Sequence, residues 1–166
     1  SSHDSPELFT VLALVATERF SEFKAQNLAS MAMAFARAGH RAPELYTGLA
    51  SQAIQRMTEF DSQNLANTAW AFATAGHRAP ELFRALELEA IERLSDFNSQ
   101  NLANIAWAFA TAGHNSPELF AALASEATGR LGEFNSQNLA NTAWAFASAG
   151  QRAPELFRLL ALEVSD

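Results

Sequence analysis

The side chains best suited to chemistry in this sequence are amides and indoles that recur in a fixed order. Gln63, Asn67, Trp70 and Thr74 stand at i, i+4, i+7 and i+11, which places them on one face of a helix. Amides hydrogen-bond to the edges of unpaired nucleobases, and indoles stack on base faces. The same groups can instead hold neighbouring structural units together, so the spacing alone leaves two interpretations open.

The row is written three times in full, at intervals of 37 residues, and once in a looser form. The looser copy comes first and reads Gln26, Ser30, Met33 and Arg37, so it departs from the others at three of four positions. The candidate residues for binding RNA or a partner are Gln63, Asn67, Trp70, Thr74, Gln100, Asn104, Trp107, Thr111, Gln137, Asn141, Trp144 and Ser148. A surface written several times is a property of a repeat and not of a single active site.

Prolines mark the period of the repeat. They fall every 37 residues from Pro6 to Pro154, and glycines keep the same step from Gly39 to Gly150. A strict period of this length is typical of solenoids. We expect residues 1–166 to form a single helical-repeat array that is a fragment of a longer one. Its repeats are approximately 6–42, 43–79, 80–116 and 117–153, with a partial unit at 154–166.

Each repeat contains two helical patterns. The first begins at a proline such as Pro80, because proline suits the first helical position, where an N–H would have no partner. The second follows Phe97, has Asn98 or Ser99 as its predicted N-cap, and ends at Gly113, which tolerates a left-handed conformation. The sequence therefore predicts an all-α protein, a right-handed α-solenoid of tandem 37-residue antiparallel helix pairs, with four pairs and a ninth helix.

A helical wheel divides the second helix of each repeat into two sides. Leu65, Ala69 and Phe72 gather on the side that we expect to form the core. The amide and indole row lies on the opposite side, with Asn64 and Thr68 beside it. We therefore expect any function of the chain to lie in that row.

The charge of the chain is unevenly distributed. The net charge is −7, from 11 basic and 18 acidic residues, and this balance normally argues against a polyanionic partner. The acidic residues concentrate on the first helices, whereas Arg37 is the only charged residue within the row-bearing segments. The turns after the second helices are basic or neutral, as at His77 and Arg78. The net negative charge therefore lies mainly on the surface of the first helices and not on the row.

Catalysis, metal binding and membrane insertion find no support in the sequence. An active site combines a nucleophile, a base and an acid that occur together once, whereas every candidate for these roles recurs in several repeats. The chain has no cysteine, and one histidine per repeat is not a metal site. No apolar run reaches the length of a membrane span, so we expect a soluble, non-enzymatic chain without a cofactor, metal or small-molecule substrate.

Two further columns of residues have both structural and functional interpretations. Arg19, Arg56, Arg93 and Arg130 either pair with a carboxylate one turn away or a carbonyl of a neighbouring helix, or they contact phosphate. The histidines at positions 40, 77 and 114 follow the helix-ending glycines, where a ring nitrogen can cap the last carbonyls. The tryptophans are either packing between repeats or platforms for bases.

The repeat resembles a known family of helical repeats over essentially the whole chain. The run F-x-x-Q-N-L-A-N-x-A-W-A-F-A-x-A-G-H-x-x-P-E-L-F is similar to the repeats of octotricopeptide-repeat (OPR) proteins and of RAP-domain and FAST-kinase-like organellar proteins. The resemblance implies an α-solenoid, a location in chloroplasts or mitochondria, and binding of particular RNAs. It departs from that family in its period of 37 and in the missing tryptophan after Glu81.

The function that the sequence favours is binding of single-stranded RNA along the second-helix row. The alternative is a protein–protein interaction scaffold that binds no RNA, as other solenoids do.

Overall fold

The computed structural model describes residues 6–165, and within them every regular element is a helix. Short 3-10 turns at Phe20–Glu22, Met57–Glu59, Leu94–Asp96 and Leu131–Glu133 join the helices of each pair. The nine α-helices of the described part are α1 (Pro6–Glu18), α2 (Ala25–Ala38), α3 (Pro43–Gln55), α4 (Ser62–Ala75), α5 (Pro80–Arg93), α6 (Ser99–Ala112), α7 (Pro117–Thr128), α8 (Ser136–Ser148) and α9 (Pro154–Ser165). The predicted four pairs and a ninth helix are therefore confirmed.

The ends of the helices follow from the repeated residues. Every first helix begins at its proline, as predicted. In α6, Asn98 is the N-cap: its side chain accepts a hydrogen bond from the backbone N–H of Asn101 at 2.7 Å. The side-chain oxygen of Asn101 accepts in return from the backbone N–H of Asn98. At the other end Gly113 takes a left-handed conformation with φ 70°, which glycine adopts without steric cost.

Each helix pair is held together by one edge-to-face aromatic contact. In the second repeat Tyr46 of α3 packs against Phe72 of α4, with ring centroids 5.0 Å apart and an interplanar angle of 85°. Equivalent pairs join Phe9 with Phe35, Phe83 with Phe109 and Phe120 with Phe146, at 4.9 to 5.0 Å. The second-helix phenylalanines are 0 to 1% exposed, so these contacts form a continuous core along the array.

Successive second helices pack closely side by side, whereas successive first helices touch at fewer points. The sequence allows this because both flanks of each second helix carry alanine. Ala66 and Ala71 of α4 are fully buried. Their equivalents Ala140 in α8 and Ala34 in α2 are exposed, because among the described residues no second helix packs on that flank of α8 or of α2. One flank therefore contacts the following repeat and the other the preceding one, which is the packing of an α-solenoid.

Among the described residues, two side-chain hydrogen bonds also join adjacent repeats. The Tyr46 hydroxyl donates to the carbonyl of Ala32 at 2.9 Å, and the Arg93 guanidinium donates to the carbonyl of Phe60. No helix of the described part is long and apolar enough to cross a membrane.

Candidate functional site

The structure places the predicted row on the surface of the second helices, opposite the core. Gln63, Gln100 and Gln137 are exposed, and so are the residues at the far end of the row, Thr74, Thr111 and Ser148. Asn67, Asn104 and Asn141 are half-buried between them. The core side of the wheel is also as predicted, since Leu65 and Ala69 are fully buried.

The tryptophans form a continuous ladder across the second helices. The ring centroids of Trp70 and Trp107 lie 6.4 Å apart with an interplanar angle of 29°, and Trp107 and Trp144 repeat this at 6.4 Å and 33°. The Arg37 guanidinium lies 5.7 Å from the centroid of Trp70 and closes one end of the ladder by a cation–π contact. Trp144 at the other end is 49% exposed.

The spacing of the indoles limits how a base can use them. A base inserted between two rings needs a plane-to-plane gap of about 7 Å, twice the contact distance of carbon atoms. The observed centroid distance of 6.4 Å is an upper bound on that gap. Bases can therefore lie against the outward edges of Trp70 and Trp107 or stack on Trp144, but they cannot enter the ladder without moving it.

The asparagines of the row differ from those of the helix caps. Among the described residues, none hydrogen-bonds to the side chains of Asn67, Asn104 or Asn141. Their amides therefore keep their hydrogen-bonding capacity and lie beside the indole ladder. A half-exposed amide with free donor and acceptor groups can read the edge of a base, which needs both.

The expectation that Asn64 and Thr68 lie beside the row on the outward side was wrong. Asn64 is 9% exposed, because its side chain turns back to accept a hydrogen bond from the backbone N–H of Asp61, while Asp61 accepts from the N–H of Asn64 at 2.7 Å. Thr68 is 3% exposed, because it lies on the flank that contacts the preceding repeat. These positions are structural.

The arginine column is structural in the described residues. Arg93 pairs with Glu89 at 3.2 Å and Arg130 with Glu126 at 3.1 Å, each one turn apart, as one of the two interpretations predicted. Arg19 and Arg56 instead pair with the glutamate three residues later. These guanidinium groups are therefore occupied by carboxylates.

The histidines after the second helices pack by their rings and cap by their backbone. The His77 ring stacks on Tyr46 at 5.5 Å between centroids, while its backbone N–H donates to the carbonyl of Phe72. The predicted capping role thus belongs to the N–H and not to the ring nitrogen. Burial lowers the pKa of His77, so the ring is neutral at neutral pH.

Sequence reasoning missed one polar cluster. Ser116 is 1% exposed and donates to Glu87 at 2.8 Å, and a ring nitrogen of His114 lies 3.5 Å from the same carboxylate. The signal was available, because the other repeats have alanine at the positions of both Ser116 and Glu87. The two departures occur together, as expected for residues in contact. No group of three or more potential metal ligands exists in the described part of the chain.

The fold and the surface define a class of protein, a helical-repeat solenoid that presents amides and stacked indoles along its second helices. A family model for "RESC6: RNA-editing substrate-binding complex 6 protein" matches residues 3–112 and 68–165. The chain therefore belongs to the RESC6 family. The two matches overlap, as expected for an array of similar units. A search of the curated proteins finds no match. The resemblance to OPR and RAP-domain proteins stays a prediction.

Proposed function

We propose that this chain is a non-enzymatic helical-repeat module that binds single-stranded RNA along the row from Gln63 to Ser148. The observation that carries the proposal is the uncharged surface of amides and indoles on a protein whose net charge is −7. The description of the family, an RNA-editing substrate-binding complex protein, supports an RNA-related role. The resemblance to organellar RNA-binding repeats adds an organelle as the proposed location.

The row has the two components that binding of single-stranded RNA requires. The outward edges of Trp70 and Trp107 and the exposed ring of Trp144 offer aromatic contact to successive bases. Stacking of a base on an aromatic side chain contributes about 1–3 kcal/mol, and Trp144 is the tryptophan of the row on which a base can stack. The half-buried asparagines beside them offer donors and acceptors to base edges. Binding by this surface depends on stacking and hydrogen bonds more than on charge.

A titration with single-stranded RNA tests the proposal. Random and homopolymer RNAs are titrated at two salt concentrations against the natural chain and against a triple Asn67→Ala, Asn104→Ala, Asn141→Ala variant. We expect binding at low salt and a loss of at least tenfold in affinity for the variant. The matched control changes three exposed first-helix positions, Ser51→Ala, Gln55→Ala and Ser125→Ala, and should bind like the natural chain.

Two results would contradict the proposal. The first is the absence of binding to any RNA at low salt. The second is equal affinity of the asparagine variant and the natural chain, with circular dichroism showing that both are folded.

A second candidate function is a protein-interaction scaffold, and one observation favours it. Helices α3 and α5 expose large apolar side chains, Ile54 at 37% and Leu88 at 53%. Exposed apolar surface of this kind marks sites of protein contact. Capture of a stoichiometric protein partner in nuclease-treated extract, lost on substitution of these residues by serine and kept in the asparagine variant, would support the scaffold.

A further inference from the structure

The loops that follow the second helices form a ridge along one end of the row. They read His40-Arg41, His77-Arg78, His114-Asn115 and Gln151-Arg152, each directly after the helix-ending glycine. We call Arg41, Arg78 and Arg152 the basic edge. All three are exposed, and none forms an ion pair with another described residue.

The basic edge adjoins the row through grooves between repeats. One groove of 340 Å³ is lined by His77 and Arg78 of one loop and by Thr111 and His114 of the next repeat. Thr111 is the last residue of the row on α6, so Arg78 and the row share this groove. A smaller groove of 150 Å³ lies one repeat earlier, where Arg41 meets Ala75 and Gly76 at the end of α4, next to Thr74 of the row in the sequence.

The acidic residues near these loops lie on their first-helix side. Glu81 follows Arg78 by three residues and is exposed at the start of α5. It lines a groove on that side together with Gln55, and Arg78 lines both this groove and the one at the row. The grooves at the row contain no carboxylate among their lining residues. Arg78 in the larger groove and Arg41 in the smaller one are the only lysine, arginine or acidic residues among those lining residues.

From this geometry we infer that the basic edge contacts the phosphodiester backbone of single-stranded RNA while its bases lie on the amide and indole row. The inference rests on the proposed function and adds an orientation, in which the phosphate of a nucleotide lies at the end of a second helix and its base lies along that helix. Phosphate contacts position a strand without reading its sequence. Asn115 interrupts the edge in the third repeat, so the contacts are confined to the other loops.

The salt dependence of binding tests the inference. The double variant Arg41→Gln, Arg78→Gln is compared with Arg84→Gln, Arg158→Gln, which removes the same charge from exposed positions on first helices. The probe is a fluorescently labelled random single-stranded RNA, titrated over a range of salt concentrations. The slope of log K against log salt falls by about 0.7 per lost contact with a single strand.

We expect the edge variant to bind more weakly at low salt, with a slope smaller by about 1.4 than that of the natural chain. The first-helix variant should keep the natural slope. Equal slopes for the two variants, while the natural chain binds RNA, would overturn the basic edge and leave the proposed function intact. Absence of binding by the natural chain would overturn both.

Discussion

The single tyrosine of the chain gives the packing between repeats a measurable pH dependence. Tyr46 is 2% exposed, and its hydroxyl donates to the carbonyl of Ala32 in the preceding repeat. Burial raises the pKa of Tyr46 to about 12, against about 10 for a tyrosine in water, because the charged phenolate loses its hydration. The unfolded chain therefore ionises more readily than the folded one.

The sign and size of the effect follow from linkage. Since the pKa is higher in the folded state, the stabilisation is complete below pH 10 and is lost as the pH rises from about 10 to about 12. At pH 11 the unfolded chain is about 90% ionised at this group and the folded chain about 10%. The free energy of unfolding should then be about 1.4 kcal/mol lower than at pH 9 from this residue alone.

Urea unfolding at pH 8, 9, 10 and 11 measures the effect, and the Tyr46→Phe variant isolates it. The variant should be less stable than the natural chain at pH 8 by about 1 kcal/mol, because the hydrogen bond to Ala32 is lost. Its stability should change less between pH 9 and pH 11, so the two curves converge. Parallel curves over this range would refute the reasoning.

Two further predictions concern contacts between and within repeats. Gly48→Ala should destabilise the chain by about 1–3 kcal/mol, because the new Cβ overlaps the Phe20 ring. This loss should exceed the gain from the higher helix propensity of alanine. In thermal unfolding, adding Phe20→Leu to the same chain should recover most of the lost stability. Asn64→Ala should cost about 1 kcal/mol, because the backbone N–H of Asp61 loses its acceptor while the bond from the N–H of residue 64 to Asp61 is kept. Thr74→Ala, at an exposed position of the same helix, should leave the melting temperature nearly unchanged.

The fold was predictable from the sequence because every repeat carries a residue that marks the start of its first helix and a residue that marks the end of its second. Pro80 begins a helix and Gly113 ends one, and the 37-residue step repeats both signals without an insertion. The helical wheel also separated the core residues Leu65 and Phe72 from the row, because residues at helical spacing share one face. The Asn98 cap was also predicted, because asparagine is a preferred N-cap residue.

The errors and omissions arose where the contacts of a side chain do not follow from its angle on the helical wheel. Asn64 turns back along its own helix to form a cap, so its angle on the wheel misplaced it. Thr68 faces a neighbouring repeat, and a wheel for one helix contains no neighbour. The contact of Arg37 with Trp70 likewise joins two repeats, and its partner stands 33 residues away in the sequence.

The uniformity of the row limits the specificity that the proposed RNA-binding surface can have. Asn67, Asn104 and Asn141 are identical, and each lies beside a tryptophan of the same ladder. Three identical asparagines favour three identical bases, whereas stacking on Trp144 accepts any base, since every base has a face to stack. The first repeat breaks the pattern, because Met33 replaces the tryptophan and Arg37 lies over one face of the Trp70 ring. A surface of this kind should hold many RNA sequences with similar affinity.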